Sequence, residues 1–195
     1  QLDSGGAPVE RVAAQLLKAH PSGDPWVVEK LEQAARQASM RGAHETVASY
    51  LRRGLEEPPS EEARAELLIA LGRVQAANGD PVAPETLTAA MDHISDPERR
   101  AQVFDAVGRS LFAQGRVREA SDAFKRGLAE LEDGDGDGPT ARELQARYAN
   151  TAMMDADARQ DAQEHVDRLL SSPVTMLVPG ERGLAAFLAM GGALS

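Results

Sequence analysis

Three glycines, Gly42, Gly79 and Gly115, recur at intervals of 37 and 36 residues, and each separates two amphipathic segments. A period of this length is the mark of a chain built from stacked supersecondary units, each too small to bury its own apolar face. The segments around the glycines align as well. Leu71-Gly72-Arg73 with Gly79 matches Val107-Gly108-Arg109 with Gly115, and Tyr50-Leu51-Arg52-Arg53-Gly54-Leu55 resembles Ala123-Phe124-Lys125-Arg126-Gly127-Leu128. The apolar spacing within the units is helical. Val27, Val28, Leu31, Ala34, Ala35 and Ala38 fall on one face, as do Val117, Ala120, Phe124, Gly127, Leu128 and Leu131. The expected fold class is therefore all-α, made of antiparallel helix hairpins.

The punctuation agrees. Asp24-Pro25 and Asp96-Pro97 pair an N-capping residue with a proline suited to the first turn, and Ser60 precedes Glu61-Glu62-Ala63. Pro58-Pro59 stops one helix, and Gly79-Asp80-Pro81 leads into a weaker helix around 87–94. Residues 1–22 read as a loose start and a lead-in helix, and 23–132 as three hairpins. Residues 133–139, Asp-Gly-Asp-Gly-Asp-Gly-Pro, read as an acidic linker, and 140–195 as further hairpins. Within the last stretch, patterns near Leu144, Tyr148 and Ala152, and near Ala162, Val166 and Leu169, are helical; 174–178 is a buried connector, and a final helix begins near Gly180. The opening Gln1 and the apolar pattern of 183–195 suggest a piece of a longer polypeptide.

The positions follow the tetratricopeptide pattern of roughly 34 residues. Segment 101–134 carries it in Phe104, Val107-Gly108, Leu111, Gly115, Ala120, Phe124 and Gly127-Leu128. Segment 65–98 carries it in Leu68, Leu71-Gly72 and Gly79, but has Pro84 where Ala is expected. Segment 28–61 carries Leu31, Gly42, Leu51, Gly54-Leu55 and Pro59. The glycines are read as points where a side chain would push packed helices apart. The fold expected is a tetratricopeptide-like right-handed superhelix. The order of the elements resembles more than the repeat alone. The run 23–31, then Arg41-Gly42-Ala43, then 50–59, with Leu68 to Asp80 and Ser110 to Leu131, is similar to the helical-repeat region of large ATP-binding LuxR-type transcriptional regulators of actinobacteria, the maltose-regulon-activator type of signal-transduction ATPase. That resemblance implies an ATP-binding module before such repeats and a helix-turn-helix domain after them. It also implies a repeat segment that senses a protein or small-molecule inducer and controls the flanking ATPase domain of the same chain. ATP belongs to the flanking domain and no cofactor to this segment, which has no G-x-x-x-x-G-K-[ST] loop. A free-standing adaptor for peptide segments is the alternative.

Charge narrows the function classes. Asp and Glu number 31 against 21 Lys and Arg, a formal net charge of -10, so direct nucleic-acid binding is not expected. No cysteine is present, and no apolar run reaches the ~20 residues of a membrane helix; a cytoplasmic, non-membrane location is expected. An enzyme is not expected either, because no acid, base and nucleophile converge. His20, His44, His93 and His165 lie on separate segments, unsuited to a shared metal. Asp133-Gly134-Asp135-Gly136-Asp137-Gly138 opens like a calcium loop, but its twelfth position is Leu144 rather than Glu, so a linker fits better. Glu56-Glu57 and Glu61-Glu62 read as solvated helix ends. Trp26 reads as packed against the preceding helix, with an exposed anchor as the other reading. The candidate binding residues are Arg36, Arg73 and Arg109, each the ninth residue of its repeat and each on a first helix. Guanidinium groups suit carboxylate or phosphate ligands. Local pairing is the competing reading, since Glu32 and Asp105 stand four residues before Arg36 and Arg109.

Overall fold

The computed structural model describes residues 9–132 and 138–154, and within them the chain is helical with no β-strand. The acidic linker, apart from Gly138 and Pro139, lies outside the described residues, as do the segments beyond Met154. The calcium-loop reading, the pattern near Val166, the 174–178 connector and the final helix therefore fall outside too. In order come α1 (Val9–Leu16), α2 (Pro25–Met40), α3 (His44–Glu56), α4 (Glu61–Ala77) and α5 (Ala83–Ala89). A short 3-10 turn (Ala90–His93), α6 (Pro97–Ala113), α7 (Val117–Ala129) and α8 (Pro139–Met154) follow. Helices α2 and α3, α4 and α5, and α6 and α7 pack as consecutive pairs. The fold is an all-α, tetratricopeptide-like arrangement of antiparallel hairpins. The chain divides into two compact units, Gln1–Ile94 and Ser95–Ser195.

Each helix starts where its cap demands. Asp24 accepts a hydrogen bond from the Trp26 N–H, Ser60 Oγ from the Ala63 N–H, and Asp96 from the Arg99 N–H. These side chains satisfy backbone donors that a first helical turn leaves unpaired. The apolar stripe of α2 is buried at all six positions from Val27 to Ala38, and packs with Val47, Tyr50, Leu51, Leu67 and Leu71 to form the core of the first unit. In the second unit Phe124, Leu131 and Leu144 are among the buried apolar side chains. No described helix is long and apolar enough to cross a membrane.

Two kinds of glycine emerge where the sequence suggested one. At Gly42, Gly79 and Gly115 a side chain would meet nothing within 4 Å; these residues instead hold φ of 69°, 69° and 76°. That left-handed backbone closes the helix ends and disfavours any residue with a β-carbon. Gly115→Ala is expected to destabilise the chain by about 1 kcal/mol, and Gly115→Asn by less, in urea titrations. The close-packing reading applies instead to the helical glycines. A β-carbon on Gly72 would stand 2.8 Å from Leu87 Cδ2, and one on Gly108 2.7 Å from Phe124 Cδ1.

The middle hairpin departs from the expected boundaries. Its second helix begins at Ala83, with Pro84 seated in the first turn, and yields to the 3-10 turn before Ile94. Proline is tolerated there because that turn's N–H has no helical acceptor. Trp26 is 47% exposed rather than packed away, with Lys30 Nζ 5.9 Å from its ring centroid.

Candidate functional site

In the first unit, α2 and α4 are the leading helices of successive hairpins, and a hollow of ≈ 390 Å³ opens between them. From α2 it is lined by Glu32, Ala35, Arg36 and Ser39. Helix α4 contributes Glu66, Leu67, Ala70, Arg73 and Val74, and α3 supplies Val47 and Leu51 beneath. Val47, Leu51 and Leu67 are core residues, so the floor is apolar and preformed. The arginines stand on the exposed faces of their helices.

Two of the three sequence-chosen arginines thus share one hollow. Arg36 has Glu32 at 3.7 Å, a loose contact in which the guanidinium keeps most of its exposure. Arg73 has no ion-pair or hydrogen-bond partner for its side chain among the described residues. Its counterpart four residues earlier is Ile69, so its helix offers no local carboxylate. Arg109 belongs to the second unit, where its Nε lies 2.9 Å from Asp105. Arg147 Nε approaches the same carboxylate at 2.7 Å. The local pairing foreseen from the i,i+4 spacing is therefore tight at Arg109 and weak at Arg36.

A second hollow of ≈ 280 Å³ lies toward the helix starts, between Gly23–Glu32 and the α3–α4 connection. Asp24, Glu29, Glu32 and Glu57 line it, together with Pro25, Val28, Pro58, Pro59 and Ala63. No Lys, Arg or His is among its lining residues. Glu32 lines both hollows, which meet there.

Glu57 corrects the reading of Glu56-Glu57 as a solvated pair. Glu56 is exposed, but Glu57 is only 1% exposed and sits at the centre of a polar knot. Its Oε2 accepts from the Ser22 and Gly23 N–H groups at 2.8 and 2.6 Å, and its Oε1 from Arg53 Nη2 at 2.8 Å. Arg53, 5% exposed, also donates to the carbonyls of Leu16 and Ala19, at 3.2 Å each. Burial pushes the Glu57 carboxyl upward. The Gly23 N–H, the Arg53 guanidinium and the Ser22 N–H together outweigh it and hold the carboxyl below its ordinary value. The knot ties the end of α1 and the following loop to α3. The i,i+4 spacing of Arg53 and Glu57 was the only trace of it in the sequence.

Among the described residues no group of three or more His, Cys, Asp or Glu is placed to hold a metal. His93 pairs instead with Glu61, at the start of α4. The chain matches no protein-family model and no curated protein.

Proposed function

We propose that this chain is the non-catalytic sensing segment of an ATP-binding LuxR-type regulator, which reports the binding of a protein or small-molecule inducer to the ATPase domain of the same polypeptide. The observation that carries it is the hollow between α2 and α4, with an apolar floor and Arg36 and Arg73 at its rim. Stacked hairpins present such surfaces by construction, because each leading helix buries one face and leaves another toward a groove. The resemblance of 23–131 to the repeat region of those regulators supplies the regulatory part of the reading. Arg109, tied to Asp105 in the second unit, is assigned a secondary part in ligand binding.

The coding sequence on either side of this segment tests the assignment. A phosphate-binding loop upstream and a helix-turn-helix downstream are expected; a gene lacking both would overturn it in favour of a free-standing adaptor. The isolated 195-residue segment is expected to bind neither ATP nor duplex DNA, since it has no phosphate loop and carries ten net negative charges. Fluorescence-anisotropy titration at physiological salt checks this; micromolar DNA affinity that falls on raising salt would contradict it.

A further inference from the structure

The two hollows of the first unit form one groove with opposite charge at its ends. Helices α2 and α4 run in the same direction along it. Their first turns, at Pro25 and Ala63, line the smaller hollow, and their later turns, at Arg36 and Arg73, line the larger. Along α2 the groove-lining charges read Glu29, Glu32, Arg36, and along α4 they read Glu66, Arg73. The acids precede the base on both helices, so the two rows reinforce one another.

The accessible charges can be separated from the committed ones. Asp24 caps α2, and Glu57 is consumed by Arg53 and two backbone N–H groups. Glu29 has only its neighbour Lys30 at 3.5 Å and is 66% exposed, and Glu32 meets Arg36 only at 3.7 Å. A ligand therefore meets the Glu29 and Glu32 carboxylates at one end and the Arg36 and Arg73 guanidiniums at the other. Between them Val28, Ala35, Leu67 and Ala70 provide an apolar path.

We infer that this groove holds an extended peptide segment of a partner protein, with a basic side chain toward Glu29 and Glu32 and an acidic side chain toward Arg36 and Arg73. The inference rests on the proposed function in taking the groove as the binding surface, and goes beyond it in fixing the partner's charge pattern. The spacing follows from helix geometry. Glu29 and Arg36 are separated by seven residues, about 10 Å at 1.5 Å per residue. An extended chain covers that length in about three residues, so the partner carries its opposite charges three positions apart, with small apolar residues between. A helical partner is about 10–12 Å across, too wide for hollows of ≈ 390 and ≈ 280 Å³. Opposed charges at the two ends also set the register, because a reversed ligand would place like charges together.

The test uses the whole 195-residue chain against four sets of blocked synthetic peptides, Lys-x-x-Glu, Glu-x-x-Lys, Lys-x-x-Lys and Glu-x-x-Glu, with Ala, Val or Leu at x. One of the two dipolar sets, in whichever chain direction the groove accepts, is expected to bind about tenfold more tightly than both homopolar sets. Glu29→Lys with Glu32→Lys should move the preference to Glu-x-x-Glu, and Arg36→Glu with Arg73→Glu should move it to Lys-x-x-Lys. Each variant gains a ligand, which an unfolded protein would not do. Should either double variant fail to fold, Glu29→Gln and Arg73→Gln are each expected to reduce the dipolar preference at least threefold. Equal binding of all four sets, no binding of any, or a preference that the groove variants leave unchanged overturns the inference. The flanking-gene test of the proposed function is decided independently of all of these.

Discussion

Glu57→Gln is expected to lower the stability of the first unit by about 3–5 kcal/mol, measured by urea denaturation of the whole chain. That is the usual range for removing one member of a buried ion pair, because the survivor keeps its desolvation cost and loses its partner. Arg53 would be left charged at 5% exposure, with Nη1 already lacking a hydrogen-bond partner. The amide would also set an N–H against Arg53 or against the Ser22 and Gly23 N–H groups, which need an acceptor. Arg53→Lys should cost less, since an ammonium keeps the charge but cannot span the Leu16 and Ala19 carbonyls and Glu57 at once. Hydrogen exchange locates the damage: amides of α1 and of residues 17–24 should lose protection first in either variant. The pH dependence has a definite sign. The folded carboxyl lies below its ordinary value, so its contribution is complete above the unfolded value of about 4.3 and is lost as pH falls through the folded one. The wild-type chain should therefore lose stability steeply below about pH 4, and Glu57→Gln should show a flatter acid limb. An unchanged acid limb in the variant would remove the carboxylate from the account.

Gly108→Val should destabilise the second unit by about 3 kcal/mol or more, and Gly108→Ala by about 2 kcal/mol. Two effects oppose each other here. Alanine in place of a helical glycine gains about 1 kcal/mol of helix propensity, while forcing atoms into a filled core costs about 1–3 kcal/mol. At Gly108 the new carbon would lie 2.7 Å from both Cδ1 and Cζ of Phe124, which is 2% exposed and has little room to retreat, so the clash wins. At Gly54 the nearest atom is a Leu67 methyl at 3.3 Å, and there the two effects should nearly cancel. Combining Gly108→Ala with Phe124→Leu gives the decisive comparison. If ring overlap is the cause, the pair should cost at least 1 kcal/mol less than the sum of its parts. Additive losses would point to backbone strain instead.

The legibility of this fold follows the range of the interactions involved. The α2 stripe from Val27 to Ala38 could be read because helical periodicity is local, and all six residues are buried. Caps at Asp24, Ser60 and Asp96 were equally local. Pro84 misled because it was compared with a repeat position rather than with the start of its own short helix. Glu57 could not be assigned from its neighbours, since the groups that bury it lie at Ser22 and Gly23, more than thirty positions away. The arginine register placed Arg36 and Arg73 on one hollow, because successive leading helices keep their phase. The acidic half of the groove escaped notice because Glu29 and Glu32 occupy different repeat offsets from the arginines.

The Arg53–Glu57 knot also sets a timescale. Its backbone donors and its carboxylate are separated by 34 and 35 residues, so it can close only after α2 and α3 have paired. Interactions that form this late slow unfolding and leave the folding rate nearly untouched. A contribution of about 4 kcal/mol made at that stage corresponds to roughly a thousandfold longer dwell of α1 against α3. The leading helix is thus held by persistence: once seated, it outlasts many rounds of ligand arrival and departure in the neighbouring groove, and the groove's shape carries over from one encounter to the next.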